Sequence, residues 1–279
     1  MTEKEENQKN IEQIENNMEE HTNVQKSQEE ILVDQLCEGI EVYKSHGGKV
    51  FLSSFAAGLE IGFSYLLIAI LYTVLSGKYS TETLPYLVAF AYPVGFIIVV
   101  LGKSLLYTEQ TSILALPVFH KKRSIGELLR LWGIVILGNL LGGAFFAVLI
   151  GFVGPAMGII SVDSIEHIAK HVSHGTIPVI FCSAVFAGWL MALLSWLVSS
   201  ANETISRIFI VYMITVVVGF AGFHHSIVGN IEVLSGFLFT DAISFMDYIS
   251  FLSIALLGNA FGGVFFVALL KYRSFKANY

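Results

Sequence analysis

Six long apolar regions set the plan of this chain, at about residues 50–75, 86–107, 127–153, 176–199, 205–223 and 247–270. Each is long enough to cross a hydrocarbon core of ~30 Å as a helix rising ~1.5 Å per residue. Two shorter apolar stretches, 111–119 and 231–239, follow the second and fifth regions and are too short to span alone. Between each long region and its short sequel lies a polar interruption, GKSLLYTEQTS (102–112) and GFHHSIVGN (222–230). The second and fifth spans are therefore predicted to be broken helices. Irregular backbone at membrane depth is tolerated where it is buried in protein or lines a cavity. Polar side chains held there are functional candidates, because their burial is costly.

The pattern L-G-N-x-x-G-G-x-F-F occurs twice, in LGNLLGGAFFAVLI (137–150) and LGNAFGGVFFVALL (257–270), at an offset of 120 residues. At the same offset Gln110 falls opposite Asn230; the first and fourth spans align more loosely, Ala57-Gly58 with Ala187-Gly188 ten residues out of that register. The repeating unit holds three spans, and an odd number points the two copies to opposite sides of the membrane. Inverted repeats with a broken helix in each half place a transport pathway at the repeat interface. The expected fold class is an all-α integral membrane protein, six transmembrane helices in two inverted three-helix repeats, an aquaporin-like architecture. Gly142-Gly143 and Gly262-Gly263 read as sites of close helix packing. Asn139 and Asn259 then bond across helices, a structural role.

Composition agrees with the pattern and refines its ends. Charged residues make up 14% of the chain, against about a quarter in soluble domains. The formal net charge of −6 belongs to one segment: residues 1–34 hold ten acids and three lysines. With no aromatic residue in 1–30, that stretch is expected to be a solvated, disordered tail. The organisation expected is a cytoplasmic tail over 1–34, an interfacial helix over 35–49, a transmembrane pore domain over 50–272 and a cytoplasmic C-terminus over 273–279. No cleaved signal peptide is expected, since the first apolar run starts near residue 50. Lys121, Lys122, Arg123 and Arg130 follow the second span, Arg207 precedes the fifth, and Lys271, Arg273 and Lys276 follow the sixth. This bias predicts that both termini are cytoplasmic in a multi-pass protein of the cell membrane. The isolated thiols of Cys37 and Cys182 suggest neither a disulfide framework nor a metal cluster. No cofactor and no nucleic-acid partner is indicated.

The interruptions carry a resemblance. GFHHSIVGN is similar to the fifth-helix segment of the formate/nitrite transporter family, LLYTEQT to its second-helix loop, and AGWLMALLSWL (187–197) to its fourth helix. The resemblance covers roughly residues 40–272 and implies six spans, a pore in each protomer and a homopentamer. It further implies that His225 is the central pore histidine, that Thr108 is the loop threonine that bonds it, and that Lys170 stands at an external vestibule. Tyr107 and Phe223 would flank the constriction. Departures mark a divergent branch of uncharacterised substrate. Gly188 stands where the family usually has Asn, Glu109-Gln110 replace Gly-Asn, His224 replaces a common Glu, and Lys103 adds a charge.

Other readings of these residues stay open. Either His224 or His225 could face the pore. Asn230 is a pore candidate that equally suits stitching of the break, as does Gln110. Lys103 and Glu109 suit a buried ion pair, since an unpaired charge at that depth is expensive. Lys170 is also an ordinary surface lysine. His167, His171 and His174 share one helix face, and that spacing alone does not make a metal site. The function indicated is a channel or proton-linked transporter for small monovalent weak-acid anions such as formate or nitrite. A neutral-solute pore of the aquaporin or glycerol type is the alternative, although neither half carries Asn-Pro-Ala. An intramembrane hydrolase using His225-Ser226 is remote, because adjacent residues seldom form a nucleophile–base pair and no Gly-x-Ser-x-Gly is present. The expected partners are thus small anions, protons, the lipid bilayer and further copies of the chain; an enzyme is not expected.

Overall fold

A computed structural model describes residues 26–276, and all regular elements among them are helices. The tail expected over residues 1–34 lies mostly outside that range. Its last residues belong instead to α1 (Gln28–Lys44), which begins earlier than the reading above placed it. The reason is local: Ser27 and Glu30 form a capping box, with the Glu30 N–H donating to Ser27 Oγ and the Ser27 N–H donating to Glu30 Oε2. The acidic composition of the stretch hid that start signal. α1 buries Ile31, Leu32, Gln35, Gly39 and Val42.

Five further segments follow in order of the apolar pattern. They are α2 (Gly47–Leu75), α3 (Leu84–Val88) running through a 3-10 turn into α4 (Pro93–Gly102), α5 (Tyr107–Phe119), α6 (Ile125–Ala156) and a short amphipathic α7 (Val162–Ser173). The second half comprises α8 (Ile177–Ser200), α9 (Thr204–Phe220), α10 (Ser226–Phe239) and α11 (Phe245–Gly263). α11 passes through a π-turn at Val264–Leu269 into α12 (Leu270–Lys276). The matching run in α6 stays α-helical, so the repeated sequence does not repeat this detail.

Among the described residues, α2, the α3–α4 run, α6, α8 and α11 with its continuation are long and apolar enough to cross a membrane. α9 has 17 residues, about 25 Å at 1.5 Å per residue, and is the shorter apolar helix leading into the second break. Large apolar side chains remain outside, among them Leu52, Phe152, Phe209 and Leu257, each at least 65% exposed. Apolar surface on this scale is suited to lipid or to neighbouring protein.

Two helix pairs dominate the packing, α2 with α6 and α8 with α11. Both close on the same device. A Cβ at Gly58 would run into the backbone carbonyl of Asn139, and one at Gly142 into that of Phe55. In the second half, a Cβ at Gly188 would meet the carbonyl of Asn259, and one at Gly262 the carbonyl of Val185. Gly188 thus fills a packing position that admits no side chain. Gly188→Asn should destabilise the protein by about 3 kcal/mol or more, because the obstructing atoms are backbone. Gly133→Ala, at a glycine with nothing within 4 Å, is the control and should be neutral or mildly stabilising. Thermal unfolding in detergent measures both.

Three helices begin with reciprocal caps, at Ser27–Glu30, Ser124–Glu127 and Ser244–Asp247. Hydrogen bonds from Ser27 hold the exposed Glu30 carboxyl, which lies ahead of the spans, below the usual carboxylate range. A lowered folded pKa means that stability is present above the unfolded value, ~4, and is lost as pH falls through the folded one. Acid titration of unfolding should therefore show a shallower loss below about pH 4 in Ser27→Ala than in the wild type.

Candidate pore site

The two interruptions are true helix breaks built to one plan. α4 ends as Lys103 turns into the left-handed region (φ 55°), and the second break turns at Gly222 (φ 63°). The chain then runs extended and restarts as α5 at Tyr107 and as α10 at Ser226. One asparagine holds each break. Asn139 Oδ1 accepts from the Tyr107 N–H (2.8 Å), while its Nδ2 donates to the carbonyls of Ser54 (2.7 Å) and Leu105 (2.9 Å). Asn259 repeats the arrangement, accepting from the Ser226 N–H (2.8 Å) and donating to the carbonyls of Ala184 (2.8 Å) and His224 (3.0 Å). The side chain of each asparagine thus ties the first helix of its half, the break and the restarted helix together, which satisfies backbone groups that a broken helix leaves open.

The breaks bring His225 and Thr108 together. His225 is 2% exposed and Thr108 fully buried, with His225 Nε2 2.8 Å from Thr108 Oγ1. His225 is also the N-cap of α10, where its Nδ1 accepts from the Val228 N–H (3.3 Å). A ring nitrogen that accepts an N–H carries no proton, so this bond places the proton of the neutral ring on Nε2, which donates to Thr108. The Phe96 ring meets the imidazole edge-on at 5.0 Å and fixes its plane. The Ser226 side-chain oxygen makes no hydrogen bond with His225, so the adjacent pair does not form a nucleophile–base couple.

Cavities open on either side of this contact. One, about 460 Å³, is walled by α7 and lined by Phe223, His224, His225 and Glu232 at its depth and by His167, His171 and His174 nearer its mouth. The other, about 690 Å³, lies at the α1 end and reaches Lys103, Leu105, Glu109 and Gln110. Both ring-bearing histidines of the break therefore reach the α7-side cavity, with different tasks. His224 pairs its Nδ1 with Ser183 Oγ (2.7 Å), whereas His225 bridges to the opposite break.

Several anticipated residues sit elsewhere. Lys170 does not line the cavity: its Nζ bonds Glu166 one helical turn away, on the solvent face of α7, and holds that carboxyl below the usual range. The Lys103–Glu109 ion pair is not formed among the described residues. The left-handed turn leaves Lys103 exposed, while α5 carries Glu109 inward to 7% exposure. Tyr107 is turned into packing, its ring against Trp132 and its hydroxyl donating to the Leu256 carbonyl (3.3 Å). Asn230 accepts from the Tyr248 hydroxyl (2.7 Å) and donates to the Leu140 carbonyl (3.4 Å), so it stitches helices. Phe223 stacks on Phe186 at the cavity wall. Sequence reasoning missed Glu232, which is 5% exposed. The signal was available, since a lone acid in an apolar run is a candidate by the same rule that singled out His225.

The sequence pattern of the Formate/nitrite transporter family matches residues 29–273. The chain belongs to this family. An inner membrane protein of Escherichia coli K12, YfdC, is 32% identical over 227 residues, which span 80% of this chain and 71% of that one. The formate channel BtFdhC of Bacillus thuringiensis is 26% identical over 188 residues, 66% of this chain and 71% of the channel. Among solved structures, an FNT family ion channel superposes with a TM-score of 0.78 at 21% identity, over 88% of this chain and 98% of its own. A pentameric formate channel with formate bound gives 0.69 at 22%, over 82% and 98%. The fold is therefore that of the family's channels, and the Thr108–His225 contact lies inside it.

Proposed function

We infer that the chain forms a transmembrane pathway for small monovalent weak-acid anions, formate, nitrite or a close relative, moving together with protons past His225. The observation that carries this reading is the 2.8 Å Thr108–His225 bridge between two cavities, formed where the N-termini of α5 and α10 face each other. Helix N-termini carry partial positive charge, which favours an anion at that point. The Phe96 ring against His225 is apolar and disfavours a bare charge, so the crossing itself suits a protonated, neutral acid. Thr108 fixes the ring and leaves its own hydroxyl proton free to donate.

The pentameric formate channel supports a homopentamer with one such pathway in each protomer. The basic loop Lys121–Arg123 supports a cytoplasmic α1 end with both termini on that side, in the cell membrane, and the α7 end facing out. The reading is tested by uptake of formate, nitrite, acetate, lactate and hydrosulfide into proteoliposomes at several pH values. Flux of one or more above the protein-free leak is expected. No flux of any, with the folded pentamer verified, overturns it. Osmotic swelling by glycerol without anion flux would assign the chain to neutral solutes instead.

A further inference from the structure

The two cavities share a feature that the central pair leaves unused: each ends on a buried glutamate. Glu232 lies in the α7-side cavity with His225, and Glu109 lies in the α1-side cavity. They are 5% and 7% exposed, and neither makes an ion pair among the described residues. Glu109 directly follows Thr108, whose hydroxyl meets His225. The polar groups across the barrier therefore run Glu232, His225, Thr108, Glu109, with one carboxyl on each side of the narrow contact.

The surroundings of each carboxyl bear on its charge. Tyr65 from α2 and Tyr92 ahead of α4 are the phenols that feel Glu232. His167 and His171 of α7 and His174 just after it, with His224 and His225, share its cavity, whose described lining holds no lysine or arginine. Glu109 faces Glu38 of α1, a like charge. Lys103 of the break, which acts on Glu38, shares that wider cavity with Lys26, Asp34, Glu41, Lys49 and Arg207, none of which pairs with Glu109. A buried carboxylate with no cation beside it is uncompensated, and a bound proton removes the charge.

The geometry points to Glu232 and Glu109 as the proton-exchange residues of the pathway, one for each side of the Thr108–His225 pair, an inference that rests on the weak-acid reading above. An anion arriving at Glu232 takes the carboxyl proton: the Glu232 O–H bond breaks, an O–H bond forms on the permeant, and a carboxylate remains beside a neutral acid. The neutral acid passes the central pair. At Glu109 the exchange reverses: the acid's O–H bond breaks, the Glu109 carboxylate gains the proton, and the anion leaves into the α1-side cavity. Water in the α7-side cavity reprotonates Glu232, and Glu109 releases its proton to the opposite side. One proton accompanies each anion and no electrons move. An ionised glutamate repels an incoming anion, so each face admits anions only while its own carboxyl holds a proton.

The test is sided. Full-length protein is reconstituted in one orientation, pH is varied on one side at a time, and the undissociated formic acid on that side is held constant by adjusting total formate. Wild-type flux should depend on the pH of either side. Glu232→Gln should lose dependence on the α7 side alone, and Glu109→Gln on the α1 side alone. Glutamine keeps the shape of the neutral acid, and pentamer elution checks assembly. Wild-type pH dependence retained in both variants overturns the inference, as does an equal loss on both sides in each, which a merely structural role would produce. If the wild type carries no weak acid, the functional reading falls and infrared absorption decides the carboxyls. A carboxylic-acid C=O band at neutral pH that disappears in the E109Q/E232Q double variant supports proton binding there, and absence of that band in the wild type overturns it.

Discussion

Alanine in place of His225 is expected to lower weak-acid flux by about 100-fold or more, equivalent to roughly 3 kcal/mol at the barrier. The ring makes two bonds at once, Nε2 to Thr108 and Nδ1 from the Val228 N–H, and it fills space against Phe96. Alanine removes both bonds and uncaps α10, so reduced flux alone would not separate a transport role from a structural one. His225→Asn separates them. Asparagine is among the strongest N-caps and should restore the start of α10, and with it thermal stability, while offering no imidazole to Thr108. Low flux in the restored variant assigns the loss to the ring. Thr108→Val keeps the ring and removes its partner, and about a tenfold loss is expected from one missing hydrogen bond near 1.5 kcal/mol. Wild-type flux in His225→Asn would remove the imidazole from the mechanism.

The largest stability effect is expected at Asn259 and its counterpart Asn139. Each makes three hydrogen bonds to backbone groups of its own half, at 2.7–3.0 Å, two of them buried and one partly so. Leucine has a similar shape but leaves all three backbone partners unsatisfied, at about 1–3 kcal/mol each. The sum, roughly 3–9 kcal/mol, rivals the whole stability of an ordinary domain. Asn259→Leu should therefore fail to yield a folded pentamer, and Asn139→Leu likewise. Aspartate keeps the acceptor but loses the amide donors and turns oxygens toward two carbonyls, so it should not rescue. Size-exclusion chromatography and thermal unfolding in detergent read both results. An unfolding midpoint of Asn259→Leu unchanged from wild type would show that the break is held by something other than the asparagine.

The periodic pattern made the architecture legible because lipid-facing helices are apolar over their whole length, and the breaks stood out as polar letters within them. The offset of the two L-G-N-x-x-G-G runs located both asparagines and both glycine contacts before any contact was known. That His225 pairs with Thr108 was legible only through resemblance, since 117 residues separate them and no local rule pairs a histidine with a threonine across two breaks. Side-chain direction was the missing information elsewhere. Lys170 and the α7 histidines occupy the same short helix, and which of them line the cavity follows from how α7 packs on α10. The Lys103–Glu109 expectation failed for a similar reason, because a single left-handed residue redirects the chain between them. Gly188 stood out in the sequence only as a departure from the family pattern, and the structure shows a close backbone contact at that position. Glu232 was overlooked because its neighbours read as an apolar stretch.

The two asparagine ties have a consequence for how the protein is made. Every partner of Asn139 lies between Ser54 and Tyr107, and every partner of Asn259 between Ala184 and Ser226. A nascent chain that has reached the end of α6 already holds all that its first break requires. The bond that joins the breaks, from Thr108 to His225, needs residues made more than a hundred positions later. Each half thus carries the asparagine bonds that hold its own break, whereas the passage between the breaks exists only where the two halves meet.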